Sequence, residues 1–197
     1  MHQDWAQSVI RRGIELLVGI PSVVLGFVGL VLLVPLIRHT FGGCGFSILA
    51  GSIILAIMAL PHIITISADA IANVPTSTRE ASLALGATRW QTIRHVILPS
   101  ARSGIVAAVI LGMGNSIGET MAVLMVTGNT PILPEPIYNV LDPVRTMTSN
   151  IVIEMNYAAP GDHQQALFAT GIVLFLMVAI LNAISHTIIR SKRVSTR

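Results

Sequence analysis

Residues 112–120 of this 197-residue chain read GMGNSIGET, a polar interruption inside an otherwise apolar stretch. Asn115 and Glu119 stand four residues apart, the spacing that places two side chains on one face of a helix, with Gly112 one turn before and Thr120 adjacent. The amide of Asn115 and the hydroxyls of Ser116 and Thr120 donate hydrogen bonds, while a carboxylate accepts them, holds a basic group or exchanges a proton. Serine and threonine in apolar helices more often bond their own backbone or a neighbouring helix. Gly114 and Gly118 form a small-xxx-small pair on an adjoining face. No H-E-x-x-H, G-x-S-x-G or G-x-x-x-x-G-K-[ST] occurs, so these residues carry no recognisable hydrolytic centre and the chain itself holds no ATP-hydrolysing loop. The six histidines are scattered singly, which predicts no metal site, and the lone Cys44 excludes an internal disulfide. Neither a cofactor nor an enzymatic reaction is expected.

The elements that must hold these residues belong to a membrane. The chain is 53% hydrophobic and 11% charged, with a mean hydropathy of +0.76, outside the range of soluble domains. Four stretches are long enough to cross a hydrocarbon core, which takes about 20 helical residues: about 14–37, 46–70, 103–126 and 166–189. The first is too long for a signal peptide, contains Pro21 and Pro35, and lacks a small-residue cleavage site. The fold class expected is therefore an all-α integral membrane protein, with residues 1–197 forming a single transmembrane domain. At a helical rise of 1.5 Å, Glu119 lies about 24 Å from the start of the third span, past the midplane. A carboxyl at that depth costs about 2.5 kcal/mol or more unless it meets protein or water, so it is expected to face one of these, in a path or against a neighbouring helix that it fixes in place.

Charge sorts the loops. If the chain weaves four times, Arg11, Arg12, Arg79, Arg89, Arg94, Arg102, Arg190, Lys192, Arg193 and Arg197 fall on one side, and only Arg38 and Arg145 on the other. The positive-inside rule then puts both termini and the 73–102 loop in the cytoplasm, with the 38–45 turn and the 127–165 loop outside. The sequence pI near 9.8 does not signal nucleic acid, because the basic residues border apolar segments. The outer loop holds five of the ten prolines and four of the nine acidic residues; it is expected to be ordered by turns with one short helix over 146–157, as a connector, a lid or a docking surface. Asp69 and His62 read as interfacial and packing residues, and Glu15, Arg11 and Arg12 as interfacial contacts. An autonomous secondary transporter would need inverted repeats, and no internal repeat is visible.

The 73–102 loop is helical in pattern. Ser77 with Glu80 and Thr88 with Gln91 each have capping-box spacing, so two helices are expected, with Gly86 ending the first and Pro99 opening the next span. Trp90, Ile93, Val96 and Ile97 make an apolar stripe beside Arg89 and Arg94, fit either to rest on anionic lipid or to enter a partner protein.

The stretch EASLALGATRWQTIRHVILP resembles the EAA loop of the permease subunits of binding-protein-dependent ABC importers. Glu80, Ala81 and Ser82 stand at its triplet, Gly86 at its glycine, and Val96, Leu98 and Pro99 at its I-x-L-P ending, with Ser82 in place of Ala and Val96 in place of Ile. The resemblance implies that the loop forms coupling helices seated in a groove of an ATP-hydrolysing subunit. Further stretches, IELLVGIPSVVLGFVGL, IGETMAVLMVTGN and MTSNIVIEMNYA leading into ALFATGIVLFLMVAILN, are similar to the permease of the phosphate-specific importer, nearer its PstC-type than its PstA-type subunit. Members usually have six spans, and those seen here match the third to the sixth. The resemblance thus implies a chain without the first two spans: a truncated, non-functional frame, a fragment, or half of a split permease. It further implies translocation of inorganic phosphate by alternating access in the cell membrane, with another oxyanion such as molybdate, tungstate or sulfate as the alternative. The implied partners are a second permease of PstA type, two ATP-binding subunits of PstB type and an extracytoplasmic phosphate-binding protein of PstS type. Asn115, Ser116, Glu119 and Thr120 become candidates for the translocation path. Glu119 would hold a basic group or take a proton from a protonated oxyanion. Many relatives carry Arg where this chain has Asn115, which leaves the anion-binding cation to the partner subunit, to Arg145 or to backbone N–H groups.

Overall fold

A computed structural model describes residues 12–14, 16, 17 and 19–193. Arg11, Glu15 and Arg197 lie outside the described residues. Every described element is a helix, save one isolated bridge between Gly128 and Val144. Four helices are long and apolar enough to cross a membrane: α1 (Ser22–Phe41), α2 (Ile48–Ala72), α4 (Arg89–Ile117) and α7, whose apolar part is Asp162–Ser185. Three short helices connect them: α3 (Thr76–Ala84), α5 (Met121–Val126) and α6 (Met147–Glu154), and α7 continues to Arg193.

The number of spans agrees with the apolar pattern, and their limits differ where proline and glycine act. The first span begins later than residue 14, because the chain bends at Ile20 and Pro21 serves as N-cap of α1. Both α1 and α4 contain one wide turn of i→i+5 bonding, Gly29–Leu33 and Ile93–Ile97, and each wide turn lies just ahead of a proline, Pro35 or Pro99. A proline ring collides with the carbonyl four residues before it and leaves that carbonyl without a donor. Those carbonyls belong to Val31 and His95, and both sit inside the wide turns, where the widened backbone makes room. Pro99 therefore does not open a new span as expected. The second loop helix runs through it into the membrane as one rod, α4, of 29 residues.

The third span ends earlier than expected. Helix α4 stops at Ile117, with Gly118 as its C-cap, and α5 starts at Met121 after Thr120. Asn115 and Glu119 consequently do not share a helical face. The Gly114/Gly118 pair is likewise not a packing motif, since Gly118 is exposed at the helix end. Close packing instead uses Gly104, Ala108 and Gly112, spaced four apart. A Cβ on Gly104 would stand 2.5 Å from that of Ala70, one on Gly112 would run into Ile63, and Ala108 is fully buried. Here α4 meets α2 closely, with only the Ala70 methyl facing Gly104 and the Ile63 side chain seated on Gly112, the small-residue packing that membrane helices use. Against α7, buried Ser185 donates from Oγ to the Ala107 carbonyl at 3.4 Å.

At the far end of these rods lies the main core, with Val34, Ile37, Ala50, Ile54, Ala122 and Val126 at its centre. Loop 127–161 closes onto it through Ile48 N–H to Asp142 O and Leu49 N–H to Val140 O, and onto itself through Val144 N–H to Thr127 O. Elsewhere the spans present their apolar sides outward: 28% or less of each apolar window is buried, and 6% in α7, which is the surface a bilayer or partner helices must cover.

Candidate functional site

At one end of the helices, residues 73–98 build a compact helix-turn-helix. Helix α3 begins at Thr76 behind Pro75, two residues earlier than the Ser77 box implies, and no side chain caps it. Ser77 lies within the first turn, and Glu80 stands exposed on α3 instead of closing a capping box. The helix ends as the glycine implied. Gly86 has φ +86°, Gly86 N–H reaches Leu83 O at 3.0 Å, and Ala87 N–H reaches Ser82 O at 3.2 Å, the paired bonds of a Schellman stop. The Thr88 box is present in full: Gln91 N–H donates to Thr88 Oγ1 at 3.2 Å, and Thr88 N–H to Gln91 Oε1 at 2.8 Å.

Between the two helices the Ser82 and Thr92 hydroxyls sit 3.0 Å apart, with Thr92 buried. Thr92 was not singled out by the sequence; its place one turn into a capped helix, facing the preceding one, is the signal that marks it. Ser82 therefore ties the two helices together, whereas Glu80, Ala81, Gly86, Leu98 and Pro99 are exposed and Val96 is half-buried in the wide turn. The apolar side chains of this motif point outward too: Leu85 is 89% and Trp90 67% exposed. A groove of about 520 Å³ runs alongside, walled by Ile71, Leu83, Ile93 and Ile97 and edged by Arg79 and Arg89. A capped hairpin of helices with bare apolar tips and a basic edge fits either an anionic lipid surface or another protein.

At the opposite end, the GNSIGET residues turn largely onto their own backbone. Ser116 Oγ donates to Gly112 O at 3.1 Å, Thr120 Oγ1 to Gly118 O at 3.3 Å, and Glu119 Oε1 accepts from Ala122 N–H at 3.2 Å. Glu119, one residue before the N-cap Thr120, thus satisfies a first-turn N–H of α5; it is half-buried at the helix break, and its carbonyl accepts from Thr148 Oγ1 of the outer loop at 3.3 Å. Asn115 is exposed, and among the described residues its amide has no partner.

Arg145 is held tightly. Its Nε donates to Asn129 O at 2.9 Å and its Nη1 to Glu154 Oε1 at 2.6 Å, while His163 Nε2 lies 3.7 Å from the other oxygen of Glu154. Its guanidinium is therefore matched by a carboxylate and serves to lock loop to α6. Beside it lies a pocket of about 300 Å³ lined by Thr130, Val144, Arg145, Asn150 and Thr170. Among the described residues no group of three or more His, Cys, Asp or Glu is placed to hold a metal.

Comparison with known proteins adds three findings. A family described as "Binding-protein-dependent transport system inner membrane component" matches residues 1–194. The "Probable ABC transporter permease protein YqgH" of Bacillus subtilis is 49% identical over 176 residues, 88% of this chain and 56% of that protein. The "Phosphate transport system permease protein PstC" of Pasteurella multocida is 32% identical over 206 residues, 94% of this chain and 63% of that protein. The chain thus spans about three fifths of the length of these curated relatives. Among solved structures, an inward-facing form of the MetNI methionine ABC transporter matches with a TM-score of 0.69 at 22% identity, over 96% of this chain and 77% of that one.

Proposed function

The chain belongs to the family of binding-protein-dependent transport system inner membrane components, and from that premise we propose that it forms part of the permease of an ATP-driven importer for inorganic phosphate. The observation that carries the substrate is the likeness to proteins named PstC, which extends over 94% of this chain. The capped helix hairpin at residues 76–98, with its exposed Leu85 and Trp90, supports the coupling role of Glu80, Ala81, Ser82, Gly86, Val96, Leu98 and Pro99. In this reading ATP is hydrolysed by two partner subunits of PstB type seated on that hairpin. A second permease of PstA type completes the path, and an extracytoplasmic PstS-type protein delivers the anion. Both chain ends and the hairpin face the cytoplasm, as the bias of basic residues implies.

Motion of the hairpin reaches the membrane through α4, whose other end is the break at Gly118–Thr120. Asn115, Ser116, Glu119 and Thr120 border the path in this proposal, Asn115 with its amide free to bond an oxyanion and Glu119 with a carboxylate that holds a basic group or takes a proton from the protonated anion.

The test is uptake of radiolabelled phosphate in a strain lacking the chromosomal locus, restored with the intact operon. Uptake that depends on this chain and survives excess sulfate and molybdate supports the reading; competition by molybdate overturns the substrate and leaves the importer. Glu119→Gln tests the path: the amide oxygen still accepts from Ala122 N–H, so abundance should hold while uptake falls. Normal uptake by this variant at normal abundance removes Glu119 from the path.

A further inference from the structure

Arg94 and Arg102 lie on α4 where it enters the apolar layer, and both are exposed. Eight residues apart in an uninterrupted α-helix, they would differ by about 80° in direction. The wide turn at Ile93–Ile97 winds the chain through less angle per residue, which brings Arg94 toward the line of Arg102. Both then border one groove of about 360 Å³, together with Leu98, Pro99, Ile105 and Val106. Among the described residues no carboxylate forms an ion pair with either guanidinium. The face is separate from the one that meets α2, where Ile97, Ala101 and Ala108 are buried.

From this arrangement we propose that the Arg94–Arg102 groove binds an anionic phospholipid. The two arginines leave the helix about 12 Å apart along the axis, a span that their long side chains can close around one phosphodiester headgroup, each with donors matched to phosphate oxygens. Leu98 and Pro99 sit between them, and Ile105 and Val106 continue deeper into the apolar layer as a wall for an acyl chain. A protein partner would be expected to bring carboxylates to the arginines; a lipid brings the anion and the hydrocarbon in one molecule, in the order that this groove presents them. The inference needs only that the chain works in a bilayer, and is independent of which ion the importer carries.

The experiment uses the importer purified with its partner subunits and exposed to phosphatidylglycerol bearing a photoreactive acyl chain, or to phosphatidylcholine bearing the same group. Label is mapped along residues 94–113, with phosphate uptake measured in parallel. Phosphatidylglycerol should label this segment several-fold more than phosphatidylcholine. Arg94→Gln or Arg102→Gln should each lower that preference about fivefold, whereas the double lysine variant, which keeps both charges, should retain most of it. Should the double glutamine variant fail to assemble, competition of the unmutated importer's label by unlabelled phosphatidylglycerol reads the same site. Equal labelling by the two lipids, indifference to the glutamine substitutions, or label that appears only when the second permease is omitted overturns the site. Loss of lipid preference with intact uptake leaves the proposed transport function standing, and loss of uptake with intact lipid preference does the reverse.

Discussion

Residues 76–98 and residues 119–154 flank the same rods at opposite ends and hold their shapes by different means. The first region is ordered by its backbone: a Schellman stop at Gly86, a capping box at Thr88 and one hydroxyl pair, with Leu85 and Trp90 left bare. The second is ordered by burial and charge: Ala122, Val126, Thr127 and Ser149 are 2% exposed or less, and Arg145 is clasped by Glu154 and the Asn129 carbonyl. Local hydrogen bonds keep a shape without consuming the side chains, so the first region can offer them to another protein. Packing consumes side chains where α5 and α6 meet the core, so in the second region it is mainly the loop tip, with Ile132, Leu133, Ile137 and Tyr138 at 70–84% exposure, that stays bare.

The comparison breaks most visibly at Gly26. A Cβ there would come 2.7 Å from the Ala122 backbone, joining α1 to α5 in the packed end. Gly26→Val should cost about 1–3 kcal/mol or more by overpacking and show as a loss of membrane abundance and of thermal retention in detergent. A well-behaved Gly26→Val protein would mean that this end is loose. Arg145→Met comes next. It leaves Glu154 and the Asn129 carbonyl unmatched in a half-buried place, an expected loss of about 1–3 kcal/mol, read as faster proteolysis of loop 127–161.

Smaller effects are expected in the capped region, and they should separate stability from partnership. At Gly86 there is open space for a Cβ, so Gly86→Ala is opposed by the positive φ alone, about 1 kcal/mol. Co-purification of the ATP-binding subunit should nevertheless fall, because the bend is misdirected. Gly86→Asn should be milder on both measures, asparagine being tolerated in that conformation. Leu85→Ala sharpens the contrast furthest. At 89% exposure its stability effect should stay within about 0.5 kcal/mol, while co-purification should drop several-fold. Equal losses of stability and of partner binding would erase the distinction between the two ends.

The sequence was legible where one physical signal dominated. Apolar length identified four spans, and glycine with Thr88 and Gln91 identified the turn between α3 and α4 in detail. It was misleading where signals competed. Pro99 reads as a boundary, yet the wide turn before it lets the helix continue. GNSIGET reads as helix throughout, yet Gly118 stops it and the Glu119 carboxylate satisfies a first-turn N–H of the next helix. Ser77 has capping-box spacing, yet Pro75 has already fixed the start. The pairing of Arg145 with Glu154 joins a loop to a helix and leaves no periodic trace, while Gly104, Ala108 and Gly112 did leave one, overshadowed by the more conspicuous glycines at 114 and 118.

One geometric fact has a mechanical outcome. Because the wide turn carries the chain past Pro99 without interruption, α4 is a single shaft about 43 Å long, seated against α2 through Gly104 on Ala70 and Gly112 on Ile63. Were α4 to tilt as one body about that seat, a displacement imposed at Trp90 would reappear, reversed, at Ile117. Its amplitude is set by where Gly104 and Gly112 place the fulcrum, and moving that contact along the shaft would change the gearing between the two ends.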